Sequence, residues 1–341
     1  MKTPARILVA RSDKLGDFML TWPALATLRK ALPDARIDLL VSAPVAEIGS
    51  ACPYSDGVII DQGQALMGLG REIRQNRYDA AIALFSTARV AGSLLLGAVP
   101  YRLAPATKLA QVLFNHRLVQ RRSRSEQPEH VYNTDLVYRF LADHGIDCPE
   151  VIQGPYLRLS RGERDQAEQA LRWRYRIPSD ARLVVLHPGS GGSANNLSTA
   201  RYAELANRLT CADDVFVLVT AGPGEKAQAE RVAQAISAHP AAVHASCEGL
   251  MAFAHVLALA DMFISGSTGP LHIAGALDVP TAAFYPRRQS STALRWQTTN
   301  RPEKRLAFSP PENAQETDMD AVDMAAAATM ISEVLLRVRQ R

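Results

Sequence analysis

Apolar positions in this chain follow two alternating patterns. Short runs of aliphatic residues are separated by longer stretches in which apolar residues recur every three or four positions. In the first half the runs predict strands at Arg6–Arg11, Ile37–Ser42, Gly57–Asp61, Tyr78–Phe85 and Val99–Ala104. Between the first two, Leu25, Leu28 and Leu32 mark one face of a helix over Phe18–Leu32. The pattern breaks over 149–163, where Pro149, Gly154, Pro155 and Gly162 read as a linker. A charged helix, Gly162–Arg176, follows and stops before Pro178. The alternation then restarts, with strands predicted at Arg182–His187, Asp214–Ala221, Ala241–Ser246, Met262–Ser267 and Thr281–Pro286. Helices are predicted at Thr199–Leu209, Gly224–Ser237 and Gly249–Ala260, and an alanine-rich one at Asp318–Arg339. Strands alternating with helices imply α/β architecture: two consecutive doubly wound, Rossmann-like units with parallel sheets. If the two face one another, a central cleft lies between the carboxyl ends of both sheets, where open α/β folds bind ligands.

Composition narrows the class. The 341 residues are 47% apolar and 21% charged, the balance of a globular protein. A net charge of +4 is too small to imply nucleic acid and suits an acidic ligand or an anionic membrane surface. Positive charge is concentrated in His116–Arg124, which carries Arg117, Arg121, Arg122 and Arg124 without an acid. A solvated basic loop is the plain reading of that run. The four cysteines, Cys52, Cys148, Cys211 and Cys247, form no CxxC pair, which speaks against a zinc site or a disulfide framework and for a reducing compartment. The apolar run Ile7–Ala10 is too short for a signal peptide, and no stretch approaches a membrane span. The expected location is cytoplasmic, with any membrane contact peripheral.

Three strand-to-helix turns carry candidate chemistry. The first is Arg11-Ser-Asp-Lys-Leu-Gly-Asp17. Asp17 stands at a helix entrance, where it either caps the helix or serves as a general base; Asp13 is a weaker candidate for the base. The second is His187-Pro-Gly-Ser-Gly-Gly192, running on through Ser193 and Asn195. Gly189, Gly191 and Gly192 let backbone N–H groups approach a ligand, and Ser190 and Ser193 add hydroxyls. This is a flexible glycine loop or a phosphate cradle, and it satisfies neither the P-loop nor the dinucleotide fingerprint. The third is Ser265-Gly-Ser-Thr-Gly-Pro-Leu-His272. Ser267, Thr268 and Gly269 lie at the helix start, whose dipole favours an anion, and His272 is either a helix histidine or a phosphate contact. In Ala221-Gly-Pro-Gly-Glu225, the Glu225 carboxylate caps a helix or binds ribose hydroxyls.

These segments, in this order, resemble glycosyltransferase family 9, the ADP-heptose:lipopolysaccharide heptosyltransferase family. The resemblance rests on Ile7-Leu-Val-Ala-Arg11, Leu15-Gly-Asp17 and Leu20-Thr-Trp-Pro-Ala-Leu25, then on His187-Pro-Gly-Ser-Gly-Gly192, Ala221-Gly-Pro-Gly-Glu225 and Ser267-Thr-Gly-Pro-Leu-His272. It implies a GT-B fold with an acceptor domain (1–155), a donor domain (156–317) and a terminal helix (318–341) returning to the first domain. It implies an inverting, metal-independent transfer of a heptose-like sugar from a nucleotide-sugar to a lipopolysaccharide-core or other anionic surface-glycan acceptor, without cofactor. By the same resemblance Asp17 is the base, Ser190, Gly191, Gly192, Thr268, Gly269 and His272 hold the donor diphosphate, and Glu225 holds its ribose. The sequence departs from the family pattern at Asn195, where a lysine is common, and at Ser267, where an aspartate is common. Lys14, Arg102, Lys108, Arg117 and Arg121 are candidate acceptor contacts. Two rival readings remain: a catalytically impaired nucleotide-binding relative, suggested by Asn195, and a nucleotide-sugar epimerase or dehydrogenase, against which the missing dinucleotide fingerprint speaks.

Overall fold

A computed structural model describes the chain except for residues 1–2, 108, 193–194, 211–214, 246–247 and 339–341. It divides into two compact units, Met1–Tyr156 and Leu157–Arg341.

The first unit has six strands: β1 (Arg6–Ala10), β2 (Arg36–Ser42), β3 (Gly57–Asp61), β4 (Ala80–Ala83), β5 (Tyr101–Pro105) and β6 (His116–Leu118). The second has β7 (Arg182–His187), β8 (Val215–Ala221), β9 (Ala241–Ala245), β10 (Met262–Gly266), β11 (Thr281–Phe284) and β12 (Arg305–Phe308). Each sheet is wholly parallel, and the orders are β3-β2-β1-β4-β5-β6 and β12-β11-β10-β7-β8-β9. These are one topology: the first strand of each unit lies centrally and the chain winds outward from it in both directions. The register sets Ile7 beside Ile37 and Ala80, and Met262 beside Val184. Helices cover both faces of a parallel sheet, so its strands are apolar throughout rather than at alternate positions. Accordingly Ile7, Leu8, Val9 and Ala10 of β1 and Val184, Val185 and Leu186 of β7 are all buried.

The structure modifies the sequence expectations in four places. The segment Phe18–Leu32 is two helices, Leu15–Met19 and Trp22–Ala31. Pro23 explains the break: it lacks an N–H and its ring excludes a helical carbonyl four residues earlier, so it starts a helix and does not continue one. At the break, the Leu20 carbonyl accepts a hydrogen bond from the Asn133 amide at 3.0 Å. Residues 116–118 of the basic run form β6, an edge strand paired with β5, and the chain has a further short edge strand, β12. The helix Glu129–Asp143, not anticipated from the sequence, packs on Trp22–Ala31 and buries Tyr132, Leu136, Val137, Phe140 and Leu141. Finally, the terminal helix, predicted over Asp318–Arg339, is Met324–Val338, and its Met324, Ala327, Ala328, Ile331 and Leu335 are part of the second unit's core, with Tyr202, Leu205 and Phe284.

The burial of Ile331 carries a test. Ile331→Ala is expected to lower unfolding stability by about 2–5 kcal/mol, the usual cost of emptying a well-packed core position. Denaturant unfolding measures it, and a loss below about 1 kcal/mol would show the helix to be dispensable to the core.

Candidate active site

In each sheet the winding direction reverses between two central strands, β1 and β4 in the first unit and β7 and β10 in the second. The connections leave such a pair in opposite directions, opening a crevice beyond its carboxyl ends. The three candidate turns follow β1, β7 and β10.

Beyond β1 the organising group is Arg11, a residue the sequence reading quoted but gave no role. Its side chain is almost fully buried, and its guanidinium faces the Phe85 ring at 5.4 Å. Nε donates to Asp13 Oδ1 at 2.7 Å, Nη2 to Asp17 Oδ1 at 2.5 Å, and Nη1 to Glu129 Oε1 at 3.1 Å. Nη1 also reaches Asn133 Oδ1 at 3.3 Å and the Leu84 carbonyl, at the end of β4, at 3.4 Å. Glu129, itself buried, accepts a second cation, Arg122 Nη1, at 2.6 Å. Two cations thus serve three carboxylates. Burial by itself would favour a neutral Arg11, but Asp13, Asp17 and Glu129 keep it protonated. Burial pushes the Asp17 carboxyl up to about 6; Arg11 opposes that shift, and Asp13 and Glu129 add to it.

Asp17 does not cap its helix. The N-cap residue of Leu15–Met19 is Lys14, and no side-chain capping bond is made there. The Asp17 carboxylate is instead directed to Arg11 and stays partly exposed. Lys14 is exposed on the same turn. Among the other candidate cations, Arg102 directs its guanidinium to the carbonyls of Leu113 and Val99, a structural use. Arg117 and Arg121 are exposed. Lys108 lies outside the described residues.

In the second unit, Glu225 ties two turns together. Its Oε1 accepts from Gly191 N–H at 2.7 Å and its Oε2 from Gly222 N–H at 3.1 Å. The carboxylate fills the space beside Gly189, where an added Cβ would lie 1.9 Å from Oε2. Gly191 and Gly192 adopt φ of 54° and 70°, which glycine does at little cost. His187, at the end of β7, contacts Thr220 Oγ1 through Nδ1 at 2.9 Å. Burial lowers its pKa to about 4 despite the pull of Glu225, so the imidazole is neutral near pH 7.

The turns after β7 and β10 are joined by Asn196. Its amide donates to the Pro188 carbonyl at 2.6 Å, and its Oδ1 accepts from the Tyr202 hydroxyl and from Leu197 N–H. The same oxygen lies against Gly266, where a Cβ would approach it to 2.3 Å. The neighbouring Asn195, chosen from sequence, is exposed, and Ser193 lies outside the described residues. Beyond Gly266, Ser267 is half-buried and Thr268 is the N-cap residue of the helix Gly269–Ala276. A helix start leaves first-turn N–H groups without acceptors in the helix, here those of Gly269 and Leu271, Pro270 having none. Thr268 makes no side-chain capping bond, and its buried Oγ1 has no hydrogen-bond partner among the described residues. His272 is buried one turn into the helix, and Ser190 is half-buried on the glycine turn.

The family model for glycosyltransferase family 9 (heptosyltransferase) matches residues 66–308. The chain belongs to glycosyltransferase family 9. A protein of Haemophilus influenzae whose name goes no further than glycosyltransferase is 40% identical over 98% of this chain and 97% of its own. Lipopolysaccharide heptosyltransferase 2 of Escherichia coli is 24% identical, with 82% of each chain covered. Among solved structures, E. coli ADP-heptose lipopolysaccharide heptosyltransferase II superimposes with a TM-score of 0.80 at 20% identity, covering 97% of this chain and 99% of the other. The protein is therefore a glycosyltransferase of GT-B fold, heptosyltransferase-like, as the resemblance implied. No described helix of this family member is long and apolar enough to cross a membrane.

Sequence reasoning missed Arg11, Arg122, Glu129, Asn133 and Asn196. A signal for the first existed: an arginine ending an apolar strand, with acids two and six positions on. Glu129 and Asn133 stand four apart, on one helix face with Tyr132 and Leu136.

An orphaned hydroxyl stabilises nothing in the unliganded fold. Thr268→Val is expected to leave thermal stability unchanged or to raise it slightly, because it removes a buried polar atom that has no partner among the described residues. A loss above about 1 kcal/mol in denaturant unfolding would show that Oγ1 is bonded in the free protein.

Proposed function

We propose that this enzyme transfers a heptose-like sugar from a nucleoside-diphosphate donor to a lipopolysaccharide-core or similar anionic surface glycan, by metal-independent inversion. The observation that carries the reading is the Asp17 carboxylate, held by buried Arg11 beyond the end of β1. The named relatives support the substrate classes: solved structures similar to this chain include an E. coli ADP-heptose lipopolysaccharide heptosyltransferase and an E. coli heptosyltransferase with ADP.

The residues divide the work as follows. Asp17, ionised, accepts the proton of the acceptor hydroxyl as its oxygen bonds to the anomeric carbon from the face opposite the leaving group. The bond from that carbon to the diphosphate oxygen breaks, and its electron pair stays on the diphosphate. Negative charge then grows where the N–H groups of Gly269 and Leu271 and the Thr268 hydroxyl can meet it, with Ser190, Gly191, Gly192, Ser267 and His272 nearby in the donor's reach. Donors fixed before the reaction stabilise such charge without reorganising. Glu225 spends one acceptor site of each oxygen on the turns and keeps others for ribose hydroxyls. Lys14, Arg117 and Arg121 are free to meet acidic groups of the acceptor.

A second reading, a nucleotide-binding relative without turnover, is favoured by one observation: Asn195 is exposed and brings no charge where a lysine is common. Nucleotide titration with thermal-shift detection separates the two when paired with a transfer assay. Stabilisation by ADP above UDP, GDP and TDP, together with transfer to lipopolysaccharide core intermediates, is expected. Stabilisation without transfer to any acceptor extract would favour the second reading.

Asp17→Ala is expected to reduce turnover by about 10²–10⁴-fold while leaving ADP binding intact. Parent-like turnover would remove Asp17 from the role. The base must be deprotonated to act, so kcat/KM is expected to fall about tenfold per pH unit as pH drops below about 6, the Asp17 value. A profile flat from pH 5 to 8 would contradict this. Thr268→Val is expected to weaken ADP binding by about 10–100-fold, the effect of losing one charge-assisted hydrogen bond.

A further inference from the structure

The turns assigned to the donor carry no fixed positive charge. Residues 188–198, 222–225 and 267–268 contain neither lysine nor arginine. His187 is neutral near pH 7, since burial lowers its pKa to about 4, and Glu225 brings a carboxylate to the same turns. A diphosphate is an anion whose charge rises as the sugar departs. A helix N-terminus offsets about half a unit of charge, and a nearby carboxylate works against it. The charge balance calls for a cation from a neighbouring segment.

Along this edge of the second sheet, basic residues occur in two places. Residues 246–249 and 309–318, after β9 and β12, have none. Lys226 opens the helix after β8 and pairs with Glu230 at 3.6 Å. The others follow β11. Arg287 is committed to the backbone: its Nη2 donates to the carbonyls of Glu312 at 3.1 Å and Ala314 at 2.8 Å, and its N–H donates to the Glu316 carbonyl at 2.8 Å. Arg295 faces the Trp296 ring at 5.2 Å. Arg301 and Lys304 pair with Asp278, which precedes β11. Arg288 remains. It is exposed, and its side chain makes no hydrogen bond or ion pair among the described residues, although Glu312 and Glu316 belong to the segment that holds Arg287.

Topology sets Arg288 on the side of the donor turn. β11 runs parallel to β10, with Phe284 the register partner of Gly266. Such partners lie about 5 Å apart. Thr268 and Gly269 leave the end of β10, and Arg288 leaves the end of β11, at the same carboxyl edge. The backbone carrying Arg288 is fixed from both sides. The three bonds of Arg287 hold it on one, and on the other Arg288 is the N-cap residue of the 3₁₀ turn Gln289–Ser291, with extended φ and ψ of −55° and 130°. An anchored backbone with an uncommitted guanidinium suits phosphate, whose oxygens the planar fork can take in pairs.

We propose that Arg288 is the cation of the donor site, its guanidinium meeting the diphosphate held at Thr268 and Gly269 and offsetting the charge that grows there as the sugar leaves. This deepens the donor side of the proposed function and rests on that reading.

The test is calorimetric titration of the full chain with ADP and with adenosine, at low and high salt. Arg288→Ala is expected to weaken ADP binding by about 10–100-fold and to flatten its salt dependence. Adenosine, which has no phosphate, is expected to bind parent and variant equally. Arg288→Lys is expected to recover part of the lost affinity, because the charge returns without the fork. Lys226→Ala is expected to stay within about twofold of the parent, as an exposed, paired lysine should. The unfolding temperature of Arg288→Ala should match the parent's, the position being exposed. Parent-like ADP binding by Arg288→Ala would overturn the proposal and leave the donor reading standing. An equal loss of adenosine binding, or a larger loss of ADP binding in Lys226→Ala, would overturn it as well. A parent chain that bound no nucleoside diphosphate would overturn both this proposal and the donor reading.

Discussion

A buried cation must find anions, and in the first unit that requirement organises the end of the central strand. Arg11 emerges from β1 into a space walled by β4 and by the helix Glu129–Asp143. It binds a group from each wall: the Leu84 carbonyl beyond β4, and Glu129 and Asn133 of the helix. The remaining N–H groups go to Asp13 and Asp17 of its own turn. Removing Arg11 itself would leave the carboxylates around it without their shared cation, which costs far more than any one pair contributes. The cluster therefore fixes the turn after β1, the split between the first two helices through Asn133 and Leu20, and the approach of the helix starting at Glu129.

The second unit meets a different constraint with uncharged groups and one carboxylate. Its turns after β7 and β10 come from different strands and must be held side by side. Asn196 and Glu225 hold them by accepting and donating at the backs of the turns, and glycine at 189 and 266 makes room for those side chains. The Thr268 hydroxyl is left over from this arrangement, buried and without a bond among the described residues. Folding leaves such a group in place only at some cost, and ligand binding is the usual compensation.

Much of this was legible in the sequence, for physical reasons particular to each element. Glycines, prolines and small polar residues after apolar runs mark turns locally, so the three candidate turns and Asp17 stand out without knowledge of the fold. Parallel strands such as β7 and β8 carry continuous apolar runs and are recognisable as such. The short edge strands β6 and β12 are not, because three or four residues flanked by arginine and lysine carry no periodic signal. Glu129 was illegible for another reason. It stands 118 positions from Arg11, and it follows a basic run that reads as a solvated loop. The choice of Asn195 over Asn196 shows the resolution limit: adjacent identical residues differ only in which one the backbone turns inward.

The grip on Asp17 has a consequence for selectivity among chemically similar hydroxyls. A carboxylate bonded at 2.5 Å to a buried guanidinium has no freedom to swing toward whichever alcohol arrives. A sugar acceptor offers several hydroxyls of nearly equal acidity, and intrinsic reactivity scarcely separates them. Under the role proposed for Asp17, the linkage formed is decided by registry: the one hydroxyl delivered to that fixed point reacts, and its neighbours find no base.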